Sequence, residues 1–444
     1  MATDTFSAET RKKYQAADAT WKLWKPWMSE IRLKQATSID DVKEFLEQAE
    51  SSPRICWDIE TTSLNPSPEN ICGHSLAFDG KYGIYIPVRH QVKPEMNLDP
   101  DAIWDLVMQA IEPPKILEVY NWKFEGQCLR RGGVIRPAKH DILNDIMIYV
   151  WLFQSNEKRL NLKESSIRFL KMEMLDIDEV PGCVTGKGKT RILDFSRTDP
   201  EDATLYAAAD VVMTHRIGEE LRPKVMELQP FVVKLEHQLL DSIFSMEQTG
   251  VTIDRAFLKQ GTRDLMRWAA IVAADLYKSA GYEFNIGSPK EVGEFLKKKG
   301  VELSKTKTGK DATGAEVIEK LAEEVPEAAK IMLYRTLIKE NSTYVEPLLE
   351  ATEKEPYARF KFKSVGAPTG RFASGGVDKG EFYADVNVQS IPAADKYQKT
   401  QAWLIENPPT QELDSALQDF NTLTSQEDQV GEGLFEETAD ANDA

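Results

Sequence analysis

Residues 54–60 read Arg54-Ile-Cys-Trp-Asp-Ile-Glu60, and the turn-forming run Thr61-Thr-Ser-Leu-Asn-Pro66 follows them. The apolar residues of the first run predict a buried strand. Asp58 and Glu60 are two residues apart, so both side chains point to the same face of that strand. Two carboxylates on a buried strand are costly unless they bind cations. A lone Asp-x-Glu pair is more often a strand edge or a helix cap, so a functional interpretation needs support from elsewhere in the chain.

The sequence around this strand alternates between strand and helix patterns from residue 31 to residue 220. Further strands are predicted at Tyr82–Val88 and Ile116–Tyr120. Amphipathic helices are predicted at Ala102–Ile111 and Trp122–Arg131 from the spacing of their apolar residues. Such alternation predicts an α/β layer fold for the first half of the chain.

The pattern becomes helical in the second half. Long helices are predicted at Phe231–Gln248 and Asp254–Gly281, and shorter ones between Gly314 and Leu349. The lysine-rich stretch Lys297–Lys310 separates the two groups. Residues 356–392 predict short strands and turns, and the polar, aperiodic sequence after them predicts a disordered tail.

The composition is that of a globular chain rather than a disordered or membrane protein, since 41% of the 444 residues are hydrophobic and 29% are charged. No apolar run approaches the ~18 residues that span a bilayer, and the polar N-terminus lacks a secretion signal. The four cysteines are too far apart for a zinc knuckle or a redox motif. These features favour a reducing, cytoplasmic setting and no membrane partner.

The negative charge is concentrated in the tail. The formal net charge is −17, and eleven acidic residues lie between Gln401 and Ala444, a segment without Lys or Arg. The remainder of the chain is therefore only weakly acidic. Local basic patches are compatible with that balance.

Two further motifs place acidic residues in suitable elements. Asn121-Trp-Lys-Phe-Glu125 opens a helix after a strand, and Tyr206-Ala-Ala-Ala-Asp210 lies on a helix. The i,i+4 spacing of the second motif puts its phenol and carboxylate on one face, as any amphipathic helix with a polar edge also would. Three acidic motifs in this order favour a site for two divalent cations ~3.5–4 Å apart, the arrangement that catalyses phosphodiester hydrolysis.

The three motifs resemble those of DnaQ-like 3′–5′ exonucleases, and most closely the proofreading domain of family A (DNA polymerase I type) DNA polymerases. The resemblance implies an RNase H-like fold, with a mixed sheet flanked by helices, and two Mg²⁺ or Mn²⁺ ions. It implies that Tyr206 orients the attacking water. The implied ligands of the ions are Asp58, Glu60, Glu125 and Asp210. The residues expected to contact the single-stranded 3′ end of DNA are Thr61, Leu64 and Asn121.

One position departs from the family pattern, which has Asp where this chain has Glu125. The longer side chain carries its carboxylate about one C–C bond, ~1.5 Å, further out. Either Glu125 still ligates the second cation and supports a slower reaction, or the site is impaired. Asp141 and Asp145 are the alternative carboxylates in the following segment, and a structural role is expected for Asp141.

The second half of the chain resembles the thumb and the start of the palm of family A polymerases. Ser245-Met-Glu-Gln-Thr-Gly-Val-Thr-Ile-Asp254 and the lysine-rich stretch carry the resemblance to the thumb. Thr369-Gly-Arg371 and Asn387-Val-Gln-Ser-Ile-Pro392 carry the resemblance to the palm. The lysines would form a cationic tip suited to duplex phosphates, although solvated lysines at a helix end have the same pattern. The residues expected to hold primer–template are Lys305, Lys307, Lys310, Arg371 and Gln389.

The nucleotidyl-transfer motifs of the family are not found after Pro392. The sequence therefore predicts one part of a split polymerase, whose palm and fingers are on a second polypeptide. Such a division would suit a bacteriophage protein working in the host cytoplasm. For the acidic tail we consider an inert role, DNA mimicry, or docking of a replication partner through Phe420, Leu423 and Phe435.

These patterns together predict five regions: a helical extension in residues 1–30, an exonuclease domain in 31–222, a thumb-like domain in 223–355, the start of a palm in 356–395, and a tail in 396–444. Two other functions stay open. One is a standalone 3′–5′ exonuclease acting on DNA or RNA, which has no need of a thumb. The other is a non-catalytic DNA-binding assembly subunit, in which Glu125 marks a decayed site.

Overall fold

The computed structural model describes residues 22–187, 190–306, 309–365, 367–375 and 383–391. The chain divides into two compact units. The first comprises the residues up to Gly250 together with Arg359–Tyr383, and the second comprises Val251–Ala358 and the residues from Ala384 onward. Residues 1–21 and the tail predicted for 396–444 lie outside the described residues. None of the described helices has the length and apolarity that a bilayer crossing requires.

The first unit is built on a six-stranded mixed sheet. Its strands are β1 (Arg32–Gln35), β2 (Arg54–Thr61), β3 (Ile71–Ala77), β4 (Tyr82–Pro87), β5 (Ile116–Val119) and β6 (Leu143–Asp145). Their order across the sheet is β1-β4-β3-β2-β5-β6. Strand β2 pairs antiparallel with β3 and parallel with β5, so it lies where the strand direction changes. The predicted α/β fold with a mixed sheet is therefore confirmed.

The helices of the first unit are α1 (Ile39–Ala49), α2 (Pro100–Ile111), α3 (Trp122–Arg131), α4 (Ile146–Phe153), α5 (Leu162–Ser165), α6 (Pro200–Leu228) and α7 (Pro230–Thr249). Side-chain caps define several of their starts. Ser38 caps α1, Asp99 caps α2 and Asp199 caps α6 by accepting hydrogen bonds from first-turn amides. Short strands β7 (Val184–Thr185) and β8 (Ile192–Leu193) pair with each other antiparallel.

Helix α6 packs closely on the sheet because small residues meet at the contact. Ala207, Ala208 and Ala209 are buried, and the facing residue on β4 is Gly83. A Cβ at Gly83 would lie 2.4 Å from the carbonyl oxygen of Ala208, so a larger residue would force the helix away. This close approach fixes the part of α6 that carries Tyr206 and Asp210.

The second unit is mainly helical. Its helices are α8 (Arg255–Ala280), α9 (Pro289–Lys298), α10 (Ala315–Ala322), α11 (Pro326–Glu340) and α12 (Glu346–Ala351), and strands β9 (Val251–Thr252) and β10 (Tyr357–Ala358) pair antiparallel. Its core includes Leu276, Phe284, Phe295 and Ile331, with the two phenyl rings stacked at 4.8 Å. The mainly helical second region expected from the sequence is confirmed.

The units differ from the predicted domains at two points. The predicted boundary after residue 222 falls inside α6, and Val225, Val233 and Phe244 continue the core of the first unit as far as α7. The segment Arg359–Tyr383, which is part of the region 356–395 predicted as the start of a palm, also belongs to the first unit. There β11 (Phe362–Lys363) pairs with β12 (Ala373–Ser374).

Candidate active site

Strand β2 presents Asp58 and Glu60 on one face of the sheet. Side chains alternate along a strand, so Trp57, which precedes Asp58, and Ile59, which lies between Asp58 and Glu60, point to the other face. Both are buried there. Asp58 pairs with Ser75 of β3, and the register shifts immediately after Glu60. This bulge ends regular pairing and redirects the chain into the turn that follows.

Helix α3 contributes Glu125, which is buried. Its start depends on Asp145, whose carboxylate accepts hydrogen bonds from the amides of Asn121 and Trp122, both at 2.9 Å. The same carboxylate also caps α4 through the amide of Met147 at 3.0 Å. Both carboxylate oxygens of Asp145 thus accept hydrogen bonds that place the starts of α3 and α4.

Helix α6 contributes Tyr206 and Asp210, one turn apart on the face that meets the sheet. Asp210 is buried, and the Tyr206 ring packs 5.6 Å from the ring of Phe195. The structure therefore brings the three sequence motifs together in the first unit, an arrangement that the i,i+2 and i,i+4 spacings within the motifs do not specify.

The four carboxyl groups influence one another electrostatically. Although part of Asp58 remains accessible to solvent, desolvation and the charge of Asp210 raise its pKa to about 7. Desolvation and the charges of Asp58 and Asp210 hold the pKa of Glu60 well above its ordinary range. Desolvation also raises the pKa of Asp210. For Glu125, desolvation and the charge of Asp58 raise the pKa, and a hydrogen bond joins the two groups. We call Asp58, Glu60, Glu125 and Asp210 the acidic cluster.

The chemistry of the acidic cluster fits divalent cations. Carboxylate oxygens are the donors that Mg²⁺ and Mn²⁺ prefer, and like charges held together out of water are costly without a cation. Oxygen Oε2 of Glu125 is buried and has no hydrogen-bond partner. In the described ranges, no group of three or more His, Cys, Asp and Glu side chains is positioned to hold a metal ion as it stands.

One residue of the site was missed by the sequence interpretation. The ammonium group of Lys163 on α5 forms an ion pair with Asp210 Oδ1 and lies 4.0 Å from the centre of the Tyr206 ring. A lysine in a short helix between two motifs has no distinctive spacing. Only the fold brings it to residues that are more than 40 positions away.

The residues predicted to contact DNA are placed in both units. Leu64 is exposed beside the acidic cluster's strand, whereas Thr61 is buried and its hydroxyl donates to the Ser63 carbonyl at 2.8 Å. Asn121 has a left-handed backbone with φ of 75°, which Asn tolerates better than most residues. Arg371 is exposed in the first unit. Exposed Lys305, Lys310 and Gln389 belong to the second unit, and Lys307 lies outside the described residues.

Substitutions at Glu125 test whether this position holds a cation. Helix α3 cannot shift easily, because a Cβ at Gly126 would lie 2.6 Å from the Phe244 ring. We expect Glu125→Gln to slow hydrolysis about 100-fold, since ~1.4 kcal/mol of transition-state stabilisation is tenfold in rate. We expect Glu125→Asp, which restores the family residue, to be about tenfold faster than wild type. Single-turnover rates on a labelled oligonucleotide measure both, and unchanged rates would show that Glu125 does not ligate the cation.

The pKa of Asp58 predicts how stability depends on pH. Between the ordinary value of 3.8 and the folded value of about 7, the folded chain binds more protons than the unfolded chain. The stability of the cation-free protein therefore falls as pH rises through this window. We expect Asp58→Asn to reduce this fall, and Mn²⁺ to raise the melting temperature more at pH 8 than at pH 6. Thermal melts in EDTA and in Mn²⁺ measure both, and equal Mn²⁺ shifts at the two pH values would contradict the prediction.

Two family models match the chain. The model of the 3′–5′ exonuclease matches residues 34–226, and the model of DNA polymerase family A matches residues 255–416. The first match contains the whole acidic cluster together with Lys163 and Tyr206. The second covers most of the second unit and extends into residues outside the described ranges.

Curated relatives and a solved structure agree with these matches. The chain is 28% identical over 371 residues to DNA polymerase I of Chloroflexus aurantiacus, covering 81% of this chain and 37% of the relative. It is 29% identical over 358 residues to DNA polymerase I of Pseudomonas aeruginosa, covering 78% and 38%. The chain thus spans little more than a third of the length of these relatives.

The solved structure is the polymerase domain of Pol1 from M. smegmatis, in complex with DNA primer-template and dNTP. It matches with a TM-score of 0.59 and 18% identity, covering 83% of this chain and 57% of that one. At this identity the match shows the fold. Taken with the two family models and the curated relatives, it leads to one assignment: the chain carries a 3′–5′ exonuclease domain and, after it, a region that matches DNA polymerase family A.

Proposed function

We propose that the first unit removes nucleotides one at a time from the 3′ end of DNA, as the proofreading exonuclease of a family A polymerase. The observation that carries the proposal is the acidic cluster. Desolvation raises the pKa of four carboxyl groups from three separate elements, and the charge of another member of the cluster raises it further in Asp58, Glu60 and Glu125. Oxygen Oε2 of Glu125 is also buried without a hydrogen-bond partner. Perturbed carboxyl groups of this kind are typical of catalytic sites.

The acidic cluster would hold two Mg²⁺ or Mn²⁺ ions, which neutralise phosphate charge and activate water in this class of hydrolysis. The chain's own residues would then position the reactants. Tyr206 lies one turn from Asp210 and is suited to orient the attacking water through its phenol. Exposed Leu64 would pack against the terminal base, and Asn121 at the start of α3 would hydrogen-bond the terminal nucleotide.

We further propose that the chain holds primer–template and that nucleotidyl transfer comes from palm and fingers residues outside these 444 positions. In the split form of this proposal, those residues are on a second polypeptide. Lys305 and Lys310 at the tip of the second unit and Arg371 in the first are the residues we assign to phosphate and minor-groove contacts. Lys305 and Lys297 both pair with Asp311, at 2.7 and 2.6 Å, so part of the cationic tip is neutralised within the protein.

The first experiment uses a 5′-labelled primer with a 3′ mismatch, annealed to its template, incubated with the purified chain in Mg²⁺. Stepwise shortening that stops in EDTA would support the exonuclease. Metal-independent binding without shortening would favour the non-catalytic assembly subunit. Equal activity on RNA would favour the standalone nuclease. Addition of dNTPs, with and without a chain carrying palm and fingers, tests the split polymerase, because extension should require that second chain.

A further inference from the structure

Lys163 makes two contacts with the proposed catalytic residues. Its ammonium group pairs with Asp210 Oδ1 and stands 4.0 Å from the centre of the Tyr206 ring. The side chain of Lys163 is 21% exposed and that of Asp210 is 11% exposed. Salt screens an ion pair with so little exposure only weakly. The attraction between the two charges therefore contributes more energy than it would in an ion pair on the surface.

The segment around Lys163 is anchored at several points. Asn161 caps α5 by accepting from the Glu164 amide at 2.9 Å. The hydroxyl of buried Ser165 lies 2.8 Å from the hydroxyl of Tyr120, the residue that precedes the Asn121 motif. Ser166 in turn donates to the Met172 carbonyl at 2.8 Å. These hydrogen bonds therefore hold the backbone around Lys163 in place beside α6.

We propose that Lys163 is a positioning residue that acts as the internal counter-cation of the acidic cluster, holding Asp210 and Tyr206 in place and competing with a divalent cation for Asp210. The proposal rests on the proposed exonuclease function and deepens it. One oxygen of the carboxylate expected to bind a cation is already paired with an ammonium group.

The charge of Lys163 also matters for the cluster as a whole. The ammonium group pairs directly with Asp210, one of the four carboxyl groups of the cluster. It therefore stabilises the cation-free state at Asp210. A divalent cation that binds there must displace this charge from Asp210 or bind beside it, and both weaken its affinity.

Although Lys163 weakens cation binding, it should favour the hydrolysis reaction itself. Attraction between the ammonium group and the Tyr206 ring holds the phenol on the face of α6 that carries Asp210. Loss of the lysine would free the phenol to move and would orient the attacking water less well. The proposal therefore predicts two opposite effects of Lys163→Met: the cation binds more tightly, and the maximum rate of hydrolysis falls.

The test measures Mn²⁺ binding to the full chain by titration calorimetry without DNA, and the hydrolysis rate at saturating Mn²⁺. We expect Lys163→Met to lower the Kd for Mn²⁺ at least about threefold and the maximum rate about tenfold, because it removes a weakly screened charge contact from Asp210 and Tyr206. Lys163→Arg, which keeps the charge and can stack on a ring, should restore both values. Lys158→Met on the exposed surface of the preceding loop matches the change in net charge and should leave both unchanged.

An unchanged or weaker Mn²⁺ affinity in Lys163→Met, at a melting temperature within a few degrees of wild type, would overturn the proposal. So would an equal gain of affinity in Lys158→Met, because the effect would then be one of net charge. Failure of the exonuclease proposal is distinguishable, since it would abolish hydrolysis in the wild type while the calorimetric comparison would still report the competition at Asp210.

Discussion

A double variant in which both Asp58 and Glu60 are changed to Ala is expected to hydrolyse DNA from its 3′ end at least about 1000-fold more slowly than wild type, while the chain remains folded. Each carboxylate would contribute several kcal/mol of transition-state stabilisation through a bound cation, and ~1.4 kcal/mol is tenfold in rate. The two side chains share one face of β2, so their loss removes one side of the cation site without touching the core residues Trp57 and Ile59. A quenched time course on 5′-labelled primer measures the effect.

The isosteric pair Asp58→Asn and Glu60→Gln is the matched control for packing. It should lose activity to the same extent. Because the raised pKa values of these groups show that their charges oppose folding, it should also be at least as stable as wild type in EDTA at pH 8. Denaturation curves compare the variants, and a loss of activity below tenfold in both double variants would contradict the assignment of the acidic cluster.

The sequence predicted the elements that carry local patterns. The strand at residues 54–60, the helix from Trp122 and the helix carrying Tyr206 and Asp210 are all found where periodicity placed them. Such features depend on residues within one or two turns of each other. The order of the motifs then identified the family, which the family matches confirmed.

The features missed by the sequence interpretation depend on contacts between distant residues. Asp145, at the end of β6, accepts a hydrogen bond from the amide of Asn121, which lies 24 positions earlier at the start of α3. Lys163 likewise pairs with Asp210, which lies 47 positions further along the chain. Helix α6 continues through Pro223, beside the predicted boundary at residue 222, and ends at Leu228. A residue that usually ends or kinks a helix therefore does not mark the limit of the first unit. Long-range pairing of this kind has no period that a single sequence displays.

Glu247, near the end of α7, is a further contact of this type, and its replacement has the second-largest expected effect. Its side chain is fully buried. Oε1 accepts from Lys123 of α3 and from the Phe362 amide at 2.7 Å. Oε2 accepts from Gln127 of α3 at 2.6 Å and from the Tyr383 hydroxyl at 3.2 Å. One carboxylate therefore joins the helix that carries Glu125 to the segment that carries Arg371.

Glu247→Ala is expected to destabilise the first unit by about 3–5 kcal/mol, because it leaves the Lys123 ammonium group buried without its counter-charge. This loss is a large share of the ~5–15 kcal/mol that typically stabilises a domain. Helix α3 and residues 359–375 should then exchange their amide hydrogens faster than the rest of the unit. Urea unfolding and hydrogen exchange measure the two effects. Protection that falls evenly through the unit would contradict a local link between these elements.

Removal of the other partner of this ion pair, in Lys123→Met, should destabilise the first unit less than Glu247→Ala does. After that change Glu247 still accepts from Gln127, Tyr383 and the Phe362 amide, and a methionine fills the volume of the lysine stem. In Glu247→Ala, by contrast, the Phe362 carbonyl is the one acceptor that Lys123 keeps within the part of the chain that the structure describes. If Lys123→Met proved the more damaging change, the ion pair rather than the set of hydrogen bonds would hold the segment. Hydrolysis should fall further in Glu247→Ala than in Lys123→Met at matched folded fraction, since losing both α3 contacts to Glu247 releases the helix on either side of Glu125.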